Sequence, residues 1–338
     1  MHDKQILIRR YSFVFFTYCL IFSFGYLIAY LTVKRNPGSS LVLNELRLQE
    51  NYKFINPLLE CDANIANFKQ IAVIKSEVEN YITTQTSAGT IKDAAVYYRD
   101  LNNGPWFGIK ESTLFTPASL TKVPLMMTYF KKAEYDPSIL KQELVVDGVV
   151  AKTAPPTFNS PKSLLVANRK YPTDTLIRHM IINSDNTAYL VLKNNLTTIE
   201  FHKVFDDLGI NSSSIRASKT GDVLSIREYS SFFRILYNSS YLNRDYSEKA
   251  LKLLSETKFN SGLVAGIPHE RVSHKFGERY YEDANEKQLH DCGIVYMKQS
   301  PYLICIMTRG TSFDDLSTVI AGISSIVYTE LQSQLNKQ

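Results

Sequence analysis

The run Thr116-Pro117-Ala118-Ser119-Leu120-Thr121-Lys122-Val123-Pro124-Leu125-Met126-Met127-Thr128-Tyr129-Phe130 reads as the opening of a buried helix. Thr116 is placed to cap it, Pro117 suits the first helical position, and the residues that follow are apolar on nearly every face. Ser119 and Lys122, three apart, then project from one side near the positive end of the helix. A serine hydroxyl is a poor nucleophile at neutral pH unless a base lies within hydrogen-bond reach. A lysine is such a base only when burial or a neighbouring cation lowers its pKa, and an apolar helix supplies the burial. Ser-x-x-Lys recurs at Ser138/Lys141 and Ser255/Lys258, but only Ser119 opens a hydrophobic helix.

Outward from this run, residues 64–85 carry helical periodicity. Residues 93–99 and 105–109 read as a hairpin about Asn102-Asn103-Gly104. Downstream, residues 131–255 are mainly helical patterns joined by Pro- and Asn-rich loops. Residues 293–297 and 302–308 alternate as two strands, and residues 316–335 form a last helix. That order predicts an α+β fold: an antiparallel sheet built from both ends of the chain, flanked by N- and C-terminal helices, with an all-helical lobe at about 119–254 inserted between.

Two further segments suit Ser119. Ser184-Asp185-Asn186 falls between helical patterns at 174–182 and 187–193, on a short connection whose side chains can point into a cleft; an Asx turn capping the second helix explains the same letters. A Lys-x-Gly strand would offer a cation to the substrate and a glycine for close backbone approach. Lys219-Thr220-Gly221 matches by letter but precedes the capping box Ser225 to Glu228, which assigns it to a loop. Lys275-Phe276-Gly277 falls where an edge strand is expected and is preferred.

Ser-x-x-Lys, Ser-Asp-Asn and Lys-x-Gly in this order resemble the motif set of class A β-lactamases and penicillin-binding proteins. Residues 176–181, ahead of Ser184, and 290–296, after the Lys-x-Gly, resemble the family's adjoining helix and strand. The resemblance spans about 64–335 and implies a β-lactamase-like serine hydrolase. By position it makes Ser119 the acylated nucleophile and Lys122 its base. Ser184 relays a proton to the leaving nitrogen, Asn186 holds the substrate amide, and Lys275 binds an acidic group while depressing the pKa of Lys122. Gly277 allows the close approach, and the N–H groups of Ser119 and Glu278 form the oxyanion hole. Two positions depart from the pattern. Residues 208–222 lack the glutamate that activates the deacylating water in class A enzymes, and Phe276 replaces a Thr or Ser whose hydroxyl helps grip a carboxylate.

Residues 11–33 are uncharged and largely apolar, about 34 Å long as a helix, against a bilayer core of about 30 Å. With no cleavage signature after them, they predict an uncleaved transmembrane anchor, a 1–10 cytoplasmic tail and a 34–63 juxtamembrane connector before the 64–338 domain. Basic residues flank both sides, so the extracytoplasmic placement of that domain, a single-pass arrangement, follows from the resemblance. The net charge of +5 comes from 38 bases and 33 acids; they are interspersed, with no stripe for nucleic acid. Four cysteines, one of them in the apolar run, allow at most one disulfide in the domain, and no Cys/His spacing suggests a metal. The expectation is a membrane-anchored acyl hydrolase without cofactor or metal, slow to deacylate, acting on β-lactam or peptidoglycan-type amides or esters. A D-Ala-D-Ala peptidase, an esterase and a sensor that binds β-lactam or peptidoglycan without turnover are the alternatives.

Overall fold

The computed structural model describes residues 17–18, 20, 22–26, 41–47, 52–56, 58–65, 69–102, 105–155, 158–159, 163–210, 221 and 223–336. The chain forms two compact units, residues 1–42 with 64–67, and residues 43–63 with 68–338. Most of the expected span at 11–33 lies outside the described residues; among those described, no helix is long and apolar enough to cross a membrane.

The strands are β1 (Leu41–Arg47), β2 (Leu58–Ile65), β3 (Asp93–Asp100), β4 (Trp106–Ile109), β5 (Leu114–Phe115), β6 (Glu143–Val145), β7 (Lys170–Pro172), β8 (Leu224–Ser225), β9 (Val272–Tyr281), β10 (Glu286–Val295) and β11 (Tyr302–Gly310). The helices are α1 (Lys69–Ser87), α2 (Lys122–Ala133), α3 (Gly148–Thr153), α4 (Thr173–Ile182), α5 (Asn186–Asn194), α6 (Thr198–Asp207), α7 (Ile226–Tyr237), α8 (Arg244–Leu254) and α9 (Phe313–Leu335). Five strands make the antiparallel sheet, in the order β4-β3-β11-β10-β9. Its strands come from both ends of the domain, as the sequence order requires, and β9 is an edge.

Alternation sorts the central strand between two cores. Leu303, Cys305 and Met307 of β11 face the helical lobe, while Tyr302, Ile304 and Ile306 face α1 and α9. A strand buried on both faces has no polar alternation, which explains the unbroken apolar run Tyr302 to Met307. Cys292 and Cys305 stand opposite each other in the β10–β11 register, and the structure pairs them.

The packed unit begins earlier than residue 64. Tyr52 OH donates to Asp245, and the N–H groups of Lys53, Phe54 and Ile55 all donate to the Glu248 carboxylate at 2.8, 2.7 and 3.1 Å. Phe54 and Ile55 are buried in the lobe-side core, worth roughly 1.5 to 3 kcal/mol each. Part of the expected connector is therefore core.

Candidate active site

Ser119 lies in a 3-10 turn, Ala118–Thr121, that leads into α2 at Lys122, not in the first α-helical turn. Thr116, expected as the cap, is held by β10 instead. Its N–H donates to Gln288 Oε1 at 3.1 Å, and its carbonyl lies 3.0 Å from His290 Nε2. Burial pushes the His290 pKa down to about 3, so the ring is neutral. Its Nδ1 accepts from the Thr308 N–H at 3.3 Å, leaving Nε2 to donate to Thr116. From that anchor the chain reverses through Ala118 at φ +45°, a left-handed conformation costing a non-glycine residue about 1 to 2 kcal/mol. In a 3-10 turn, residues i and i+3 eclipse. Lys122 Nζ accordingly comes to 2.9 Å from Ser119 Oγ. Tyr229 of α7 supports the turn from below, donating to the Leu120 carbonyl at 3.1 Å.

Ser184 follows α4 at φ +53°, a second left-handed non-glycine residue in the site. Strain of this kind persists where surrounding contacts fix it. Here Asp185 caps α5, accepting from the Ala188 N–H at 3.0 Å, and also accepts from Ser163 Oγ at 2.5 Å. The capping reading of Ser-Asp-Asn is thus correct for Asp185, while its two neighbours turn toward Lys122. Lys122 Nζ meets Ser184 O at 2.5 Å, Ser184 Oγ at 3.1 Å and Asn186 Oδ1 at 2.7 Å. Asn186 Nδ2 donates to the Pro155 carbonyl at 2.9 Å.

Lys275 arrives from the edge strand β9. Its Nζ donates to Ser184 Oγ and to the Phe276 carbonyl, both at 2.9 Å. Gly277 is what lets β9 come this close: an added Cβ would sit 2.9 Å from Leu120 Cγ and 3.0 Å from the Pro117 carbonyl oxygen. The glycine therefore fits the strand to the nucleophile turn rather than to open space. Phe276 turns to the other face, stacked on Phe259 with centroids 4.2 Å apart, and offers the cleft no polar atom. Lys219, the alternative by letter, lies outside the described residues. Ser138 hydrogen-bonds Asp136 and Ser255 the Lys252 carbonyl, both in exposed settings, and neither lines the cleft.

Two lysines share Ser184 Oγ, and both are essentially without solvent. Desolvation, then the charge of Lys275, holds the Lys122 pKa well below its usual value. Desolvation brings Lys275 down to about 7, opposed by Asp291 and Glu278. A neutral Lys122 amine has two hydrogens for Ser184 O and Asn186 Oδ1, and a lone pair free for the Ser119 hydroxyl proton. Ser119, Lys122 and Asn186 line a cleft of 620 Å³, together with Tyr189, Phe158, Glu278, Arg279 and Tyr281, while Ser184 and Lys275 are buried and not part of its lining. Among the described residues no cluster of His, Cys, Asp and Glu could hold a metal ion.

The sequence did not point to His290, Gln288, Asn159 or Tyr189 as neighbours of the site. The first two are legible only once the register of β10 is known. Asn159 meets the Glu278 side chain across 119 residues of chain, and no local pattern encodes that.

A serine–lysine pair on a turn, facing a second serine and an edge-strand lysine beneath a helical lobe, is the architecture of β-lactamase-like serine hydrolases. The model of the β-lactamase enzyme family matches residues 74–331, and the chain belongs to that family. Among solved structures, PBP-A is similar at 19% identity and TM-score 0.65, over 78% of this chain and 97% of that one. A class A β-lactamase of Bacteroides cellulosilyticus DSM 14838 is similar at 18% identity and TM-score 0.65, over 77% and 99%. A β-lactamase of Sphaerobacter thermophilus DSM 20745 is similar at 16% identity and TM-score 0.63, over 76% and 97%. At these identities the likeness is one of fold. A comparison with curated proteins gave no match.

Proposed function

We propose that the chain is a serine acyl hydrolase that forms an acyl-enzyme on Ser119 with β-lactam or peptidoglycan-type amide or ester substrates and releases it slowly. The observation that carries this reading is the position of Ser184 Oγ, 3.1 Å from one lysine Nζ and 2.9 Å from the other, with Ser119 Oγ on the first of them.

In the proposed reaction, neutral Lys122 takes the Ser119 proton as Oγ bonds to the substrate carbonyl carbon. The oxyanion faces the N–H groups of Ser119 and Glu278; one such donor is typically worth about 10² to 10³ in rate. The tetrahedral species collapses, the C–N or C–O bond breaks, and the proton passes from Lys122 through Ser184 to the leaving atom. Charged Lys275 keeps Ser184 oriented and discourages protonation of Lys122. Asn186 can hold a substrate amide only by giving up, or sharing, its bond to Pro155.

Deacylation needs water attacking the ester and a base to take its proton. Residues 208–222 contain no glutamate, and the absence of such a base typically costs about 10² to 10⁴ in rate. The same feature favours a second reading, a sensor acylated without turnover. The apolar 11–33 segment belongs to the proposal as a single-pass anchor that places the domain on the envelope side, where peptidoglycan and β-lactams are met. Labelling with a fluorescent penicillin tests the reading: the wild type should label and Ser119→Ala should not. An adduct mapped to Ser138 or Ser255 would refute it.

A further inference from the structure

A second cavity, of 350 Å³, shares no lining residue with the cleft. It lies where residues 53–56 meet the end of α7 and the turn between β10 and β11. Small-ligand sites begin at about 300 Å³. Its walls are fastened to one another without any ligand. The Asn56 N–H donates to the Tyr237 carbonyl at 2.8 Å, Tyr296 OH to the Phe54 carbonyl at 3.1 Å, and Asn102 Nδ2 to the Gln299 carbonyl at 2.6 Å. Gln299 sits at φ +70°, a left-handed conformation that a non-glycine residue keeps where such contacts fix it.

The lining divides by chemistry. Tyr237, Tyr296, Met297 and Pro301 offer apolar surface, whereas Lys53 and Lys298 bring two cations to the same cavity. Both lysines are exposed, and among the described residues neither side chain forms an ion pair or hydrogen bond. Glu248, the acid beside Lys53, already accepts the N–H groups of residues 53–55. We propose that this cavity is a second ligand site, which takes a small organic carboxylate with its charge between Lys53 and Lys298 and its apolar body against Tyr237, Tyr296 and Met297. An inorganic anion would answer the lysines and leave the apolar wall wet, and a neutral aromatic would do the reverse. The site goes beyond the acyl-transfer reading and does not depend on it.

N-acetylphenylalanine is the probe and its amide the uncharged control. In calorimetric titration of the full chain in detergent, the carboxylate should bind and the amide should bind at least about tenfold more weakly, the scale of one lost charge-assisted bond. Lys53→Glu and Lys298→Glu should each weaken the carboxylate by about tenfold or more. Exposed substitutions of this kind leave folding nearly intact; Lys53→Gln and Lys298→Gln, with the same direction, decide the matter if charge reversal shifts the denaturation midpoint. Hydrogen exchange should slow at residues 53–56 and 296–299 when the probe is bound. Protection confined to residues 275–281 would put the probe in the catalytic cleft and overturn the proposal. Equal affinity for acid and amide, affinity unmoved by either lysine change, or no binding at millimolar probe would overturn it as well.

Discussion

At the residue scale the site turns on which of two buried lysines carries a proton. Lys122 must be neutral to act as a base, and burial together with Lys275 lowers its pKa. Lys275 must be charged, and its pKa is about 7. Acylation should therefore rise as pH passes the lowered value of Lys122 and fall as it passes about 7, a bell that stopped-flow labelling against pH would trace. A plateau extending to pH 9 would show that Lys275 acts uncharged. Lys122→Ala should slow acylation by about 10² or more, measured with the same label. Stability has its own signature. Between about 7 and the ordinary lysine value of 10.5 the unfolded chain binds the Lys275 proton and the folded chain does not, so this group makes stability rise with pH across that window. Lys275→Met removes the buried charge; it should raise Tm most at pH 6, gain little near pH 11, and abolish acylation. A Tm gain independent of pH would mean that packing rather than charge is responsible.

At the element scale the fit between β9 and the Ala118–Thr121 turn decides whether those residues meet. Gly277→Ala would place a methyl 2.9 Å from Leu120 Cγ and 3.0 Å from a backbone oxygen. We expect it to cost about 1 to 3 kcal/mol, as overpacking does, and to slow acylation by parting Lys275 from Ser184; unchanged labelling and an unchanged denaturation midpoint would contradict this. Much of the arrangement was legible. The hairpin about Asn102, the capping box at Ser225, the edge position of Lys275 and the Ser119/Lys122 pairing all follow from local letters and spacing. What was not legible depends on partners distant in sequence. Thr116 looks like a helix cap until β10 supplies Gln288 and His290 as better partners, and the α-helical start then becomes a 3-10 turn. The sequence offers Gly277 as a glycine for close substrate approach and cannot show that Leu120 and Pro117 also crowd it.

At the scale of the whole molecule, the catalytic unit draws its first packed residues from before α1. Three consecutive N–H groups on Glu248 and two buried side chains join residues 52–56 to the helical lobe. Glu248→Ala leaves those donors without their acceptor and should lower stability by about 1 to 3 kcal/mol by urea titration. A chain beginning after Asn56 should lose about 3 kcal/mol or more, since Phe54 and Ile55 are then missing. If neither change moves the midpoint, the segment is an ornament of the lobe and not part of its core. The central claim, acylation of Ser119 with slow release, is tested most directly by intact-protein mass spectrometry of the full chain after mixing with an excess of one penicillin. The account predicts a mass increase of one penicillin per chain that persists after free drug is removed and is absent in Ser119→Ala. A wild type that hydrolyses the penicillin while retaining its unmodified mass, or an adduct that survives in Ser119→Ala, would contradict it.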